Sequence, residues 1–160
     1  MDWTIREATI ADYDALCALF AQIDRIHYTA LPDIFRPPAG PSRERKYIED
    51  TLSNPGARIF AAEQGNEIIG LADAAIREAA QWSALVPRSW VHIRDIIVDE
   101  RFRGMGVGKS LLARIEAWAR ELRIPHVELL VWEFNTPARM VYEQSGFRTL
   151  SRTMYKDLDG

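Results

Sequence analysis

Arg103-Gly104-Met105-Gly106-Val107-Gly108-Lys109-Ser110 combines three glycines at alternate positions with two cations. A strand, such a turn and a following helix make an anion site by simple physics. Successive backbone N–H groups point into the turn, and the helix N-terminus adds a partial positive charge. Glycine lets the backbone approach a ligand with no Cβ in the way. Arg101, Arg103 and Lys109 surround the turn with positive charge. Two familiar phosphate motifs fail on single residues. A nucleotide-phosphate loop ends Gly-Lys-Ser, as Gly108-Lys109-Ser110 does, but its first glycine would fall at Arg103. A dinucleotide fingerprint needs Gly-x-Gly-x-x-Gly, and the third glycine would fall at Lys109 or at Leu111.

Arg-x-x-Gly-x-Gly does fit, as Arg103, Gly106 and Gly108, or as Arg101, Gly104 and Gly106. Further on comes Val131-Trp132-Glu133-Phe134-Asn135-Thr136-Pro137-Ala138-Arg139-Met140-Val141-Tyr142-Glu143-Gln144-Ser145-Gly146-Phe147. With Asp95 to Gly108 as a strand–turn–helix signature, and Asn135, Ala138, Tyr142, Gly146 and Phe147 in matching spacing, the chain resembles the GNAT superfamily of acyl-CoA N-acyltransferases. The resemblance is firm over residues 90–150 and rests on element order before that.

The resemblance implies transfer of an acetyl group from acetyl-CoA to a primary amine, by direct attack in a ternary complex. It implies that the turn amides of Arg103, Gly104, Met105, Gly106, Val107, Gly108, Lys109 and Ser110 bind the CoA pyrophosphate. Strands 90–98 and 126–132 would splay apart, and the backbone of Ile96, Ile97 and Val98 would hold the pantetheine as a strand does. A backbone N–H there would stabilise the oxyanion. Ala138 and Tyr142 complete the cofactor set. Asn135 would contact the pantetheine or cap the helix. Tyr142 also has chemistry available, because a phenol of pKa about 10 can protonate a leaving thiolate whose parent pKa is about 8.5.

The attacking amine must be neutral, and an alkyl ammonium has pKa about 10.4. Some family members place a glutamate on the strand before the turn, and Arg94 stands there in this chain. His92, Asp95 and Glu133 are the nearby groups. Glu133 and His92 are the expected catalytic pair of alternatives beside Tyr142, with His92 on the face of Trp90, Arg94 and Ile96 and Asp95 on the other. His27, Tyr28, Phe35 and Arg36 would line the acceptor. Trp82 and Trp90 mark either an acceptor pocket or a subunit contact, the latter implying a homodimer. Two rival readings remain: a non-catalytic acyl-CoA-binding module, and a nucleotide-binding protein built on Gly108-Lys109-Ser110.

Composition narrows the classes. The chain has 160 residues, 48% of them hydrophobic, which suits one domain over residues 1–160. A net charge of −3 argues against nucleic acid as a partner. No run approaches the roughly 18 apolar residues of a membrane span, and Met1 to Ile5 is no secretory leader, so a cytoplasmic protein is expected. Cys17, the one cysteine, sits at helical spacing with Leu16, Phe20 and Ile23 and reads as a small buried hydrophobe. The three histidines lack metal-ligand spacing, so no metal is expected.

The elements positioning these groups follow from periodicity and punctuation. Strands are expected at 3–8, 58–63, 67–76, 90–98 and 126–132, the second and third joined by a turn at Gly65-Asn66. Helices are expected at 11–25 after Thr9, at 42–53 capped by Ser42, at 107–122, and from Thr136 as cap to a stop at Gly146. The proline-rich segment 29–41 reads as loop, residues 79–88 as a connection, and 147–150 and 153–155 as closing strands. The order βααβββαβαβ predicts an α/β (α+β) mixed sheet with helices on both faces. The resemblance implies that this sheet is mostly antiparallel.

Overall fold

The computed structural model describes residues 2–158. These gather into two units, one ending at Leu130 and one beginning at Val131. The first holds β1 (Thr4–Glu7), α1 (Tyr13–Ala30), α2 (Arg45–Ser53), β2 (Ala57–Gln64), β3 (Glu67–Glu78), β4 (Ser89–Val98), α3 (Val107–Glu121) and β5 (Val127–Leu129). The second holds α4 (Thr136–Gln144). The strands pair in chain order, antiparallel from β1 to β4 and parallel between β4 and β5. The mixed, mostly antiparallel sheet expected from the sequence is present.

Strand alternation gives the sheet two apolar faces. On one, Leu16, Leu19 and Phe20 of α1 and Ile48 of α2 pack with Ile59, Ala61, Leu71 and Ile97. On the other, α3 lays Leu111, Ile115 and Trp118 against the sheet, and the Trp118 ring meets Phe60 edge-on at 6.1 Å. Full burial of Leu111 and Ile115 stabilises by about 2 kcal/mol each. Gly70 sets how close α3 can come. A Cβ there would lie 3.0 Å from Ile97 O and 3.3 Å from Leu111 Cδ1. Glycine here gives the start of α3 room to settle beside the end of β4.

Several boundaries differ from expectation. α1 begins after a short 3-10 turn at Ile10–Asp12 and runs to Ala30, so the proline-rich loop starts later than residue 29. Ser42 is not the cap of α2, because Glu44 holds that position. Cys17 is half-buried, and its thiol donates to Arg43 O at 3.3 Å. β5 covers only Val127–Leu129 of the expected 126–132. The closing strands at 147–150 and 153–155 are absent, and residues 147–157 have no regular secondary structure. Alternation alone does not make a strand, since the ladder bonds must come from a neighbour. Among the described residues no helix is long and apolar enough to cross a membrane.

Candidate active site

β4 carries the decisive irregularity. Its register with β3 pairs Ala74 with Ile93 but Asp73 with Asp95, leaving Arg94 as an extra residue in a β-bulge. The bulge reverses the alternation beyond it. Val91, Ile93, Ile96 and Val98 face α3, whereas His92, Asp95 and Ile97 share the α1/α2 face with Asp73 and Leu71. Arg94 joins them, donating to Asp73 from Nε at 3.0 Å. The expected placing of Asp95 opposite His92, and of Ile96 with His92, is therefore wrong. A regular period of two cannot foresee an inserted residue.

β5 leaves β4 at the same place. Their ladder runs only from Val91 to Ile93, so residues 94–98 have β3 on one side and, among the described residues, no strand on the other. Asp99 N donates to Ile69 O at 2.9 Å, which fixes the parity: residues 97 and 95 turn their backbone to β3, and 96 and 98 turn theirs to the open edge. Ile96 thus offers an N–H and a C=O, and Val98 an N–H. Ile97, expected beside them, points its backbone into the sheet and its side chain into the core.

The open edge runs straight into the glycine turn. Gly104 and Gly106 hold φ of 76° and 97°, a region that resists any Cβ. Gly106 caps α3, and the first intrahelical bond goes from Ser110 N to Gly106 O at 3.1 Å. The N–H groups of Val107, Gly108 and Lys109 precede it and are orphan donors at the helix start. Of the expected cations, Arg101 is held by Asp99 and Glu67. That contact with Arg101 keeps the Asp99 carboxyl near pKa 2. Arg103 folds back, donating from Nε to Val98 O at 3.1 Å. Lys109 is exposed, with no ion-pair partner among the described residues. The Ser110 hydroxyl accepts from Trp3 Nε1 at 3.2 Å, which ties the start of the chain to the turn. Met105 is exposed at the tip. Open strand edge, left-handed glycines and orphan helix amides fit an elongated ligand with amides at one end and phosphates at the other.

In the second unit, Asn135 caps α4, its side chain accepting from Ala138 N at 3.3 Å. Thr136, the expected cap, is the first helical residue. Of Asn135's two expected roles, the side-chain oxygen serves the helix start. Gly146 at φ 89° turns the chain back, so that Phe147 N donates to Tyr142 O at 3.0 Å. The Phe147 ring then meets the Tyr142 ring edge-on at 5.8 Å. The spacing of Tyr142, Gly146 and Phe147 has a local reason: the αL glycine folds a phenylalanine onto the tyrosine it must hold.

The model of the acetyltransferase (GNAT) family matches residues 22–147. The chain belongs to the acetyltransferase (GNAT) family. An uncharacterized N-acetyltransferase of Bacillus subtilis, YycN, is 36% identical over 72 residues, which cover 45% of this chain and only 46% of that protein. The D-amino-acid N-acetyltransferase HPA3 of Saccharomyces cerevisiae is 26% identical over 91% of this chain and 84% of its own. The solved structure of a tetramutant of the BH1408 protein from Bacillus halodurans superposes with a TM-score of 0.92 at 26% identity, covering 97% of this chain and 99% of that one.

The remaining expected residues of this GNAT chain fall in both units. Glu133 is 81% exposed at its side chain and is paired with Arg139 at 2.9 Å. His92 lies where β4 and β5 are still zipped, opposite Glu128, and burial pushes its pKa down. His27 stacks on Phe35 at 5.0 Å, Tyr28 is half-buried and Arg36 is exposed. Trp82 is 67% exposed, while Trp90 lies under the Arg88 guanidinium at 4.4 Å. Sequence reasoning missed Gly70, Trp3 and the bulge. A glycine inside the apolar strand run Ile68-Ile69-Gly70-Leu71 was the available signal for the first.

Proposed function

We propose that the chain, as one catalytic domain, transfers an acetyl group from acetyl-CoA to a primary amine in a ternary complex. The observation carrying this is the unpaired edge of β4 from residue 94 to 98, continuous with the glycine turn and the start of α3. Pantetheine amides would use the N–H and C=O of Ile96 and the N–H of Val98 as a neighbouring strand would. The pyrophosphate would take the amides of the 103–110 turn, with Lys109 as its free cation. Arg103 acts through Val98, holding the strand end against the turn. One N–H of the open edge stabilises the oxyanion that forms as the amine attacks.

Tyr142 gives its proton to the sulfur as the C–S bond breaks. Its fixed seat against Phe147 supports that role. Thermal-shift measurements with acetyl-CoA, CoA, ATP and GTP test the donor half. Stabilisation by the CoA compounds alone is expected, and stabilisation by ATP alone would return the nucleotide reading. Tyr142→Phe should lower kcat by about 10²-fold with acetyl-CoA binding nearly intact. Unchanged turnover would remove Tyr142 from the acid role.

A further inference from the structure

The glycine turn is tethered at both ends, by different parts of the first unit. At its entry Arg103 donates to Val98 O at 3.1 Å. Just before it, Gln22 of α1 accepts from Glu100 N and donates to Asp99 Oδ2, both at 3.1 Å. The exit tether comes from the β1 edge of the sheet. Trp3, directly before β1 and half-buried, donates from Nε1 to Ser110 Oγ at 3.2 Å, across 107 residues of sequence. The same indole flanks the turn. A Cβ at Gly106 would lie 3.9 Å from Trp3 Cζ2, so the ring edge stands one methyl group away from the glycine that caps α3.

This tether reaches the amides of the turn through one peptide. The Ser110 hydroxyl donates to Gly106 O at 3.4 Å, and Ser110 N donates to the same oxygen at 3.1 Å. That carbonyl shares its peptide unit with the N–H of Val107, an orphan donor at the helix start. The unit is planar, so fixing its oxygen fixes the direction of its N–H. Bonds accepted by the oxygen also polarise the N–H opposite it, as along any chain of hydrogen bonds. Gly104 and Gly106, at φ 76° and 97°, give the turn a shape it can hold and a freedom it must lose when an anion binds. A tether that removes this freedom beforehand lowers the cost of binding.

We propose that Trp3 is a positioning residue for the pyrophosphate of the acyl donor. Through Ser110 it aims the Gly106–Val107 peptide, so that Val107 N–H meets a phosphate oxygen. This rests on the donor reading above. Trp3 acts through Ser110 and Gly106 and not by contact with the donor. The indole N–H carries the effect, rather than the bulk of the ring.

Trp3→Phe keeps an aromatic ring and removes the donor. Equilibrium binding is measured with CoA, with dephospho-CoA, which keeps the pyrophosphate but lacks the 3′-phosphate, and with pantetheine, which has no phosphate. CoA and dephospho-CoA should bind more weakly by about three- to tenfold, and alike, while pantetheine stays within about twofold. A loosened fold would weaken all three, and a role at the 3′-phosphate would weaken CoA alone. Either pattern overturns the proposal, as does unchanged CoA binding. Ser110→Ala should weaken CoA by a similar factor, and adding Trp3→Phe to it should change little further. A second full loss in the double variant would show that Trp3 does not act through Ser110. The wild type gives an independent result should the variants not fold. Its Trp3 indole N–H resonance should move with CoA and dephospho-CoA and stay in place with pantetheine. A resonance indifferent to all three would overturn the proposal. A wild type that binds CoA no more tightly than pantetheine would instead overturn the donor reading of the turn.

Discussion

The two faces of β4 differ as sharply as any two regions of the molecule. Toward α3 it shows Val91, Ile93, Ile96 and Val98, closed by leucines, isoleucine and tryptophan. Toward α1 and α2 it shows Ile97 in the core, but also His92, and Arg94 and Asp95 against Asp73, with Asp24 and Arg43 beside them. One inserted residue separates the regimes. The apolar face fixes where the helix start and turn lie. The polar face holds charge in a half-buried setting.

The largest effect should come from the charged face. Asp73→Asn leaves Arg94 facing a neutral group and should destabilise by about 3 kcal/mol, read by urea unfolding. Ile93→Val on the opposite face should cost about 1 kcal/mol. Equal costs would mean that the buried ion pair does not dominate. Gly70→Ala comes next. Its Cβ would press on Ile97 O at 3.0 Å, a backbone atom that cannot rotate away. A loss of about 1–2 kcal/mol is expected, with weaker acetyl-CoA binding as α3 is pushed off the strand end. The smallest effect concerns Asp99, where β4 enters the turn. Its folded pKa of about 2 lies below the usual carboxylate value, so its stabilisation is present at neutral pH and lost as pH falls from about 4 to 2. Asp99→Asn should cost roughly 1 kcal/mol at pH 7, and the gap should narrow as pH falls through about 2.

The glycine turn was legible because its chemistry leaves residue-type marks: only glycine tolerates φ near 76° and 97°. Tyr142, Gly146 and Phe147 were legible for a similar reason, since a left-handed glycine must follow the helix. The strand pattern Trp90–Val98 predicted the strand but not its faces, because Arg94 sits in the bulge without any type signal. Thr153 to Tyr155 alternates suitably yet forms no strand. Whether a neighbour offers a ladder is a tertiary fact. The charged face of β4 was illegible for the same reason: Asp24, Arg43, Asp73 and Asp95 come from three elements and one connection, with no common spacing.

The proposed donor site rests on the open edge of β4, and amide hydrogen exchange resolved by residue addresses it directly. With acetyl-CoA, the amides of Ile96 and Val98 should gain protection together with those of the 104–109 turn. Ile97, already bonded to β3, should change little. Equal change at 96, 97 and 98, or protection of the turn with none at Ile96 and Val98, would contradict a ligand lying along that edge.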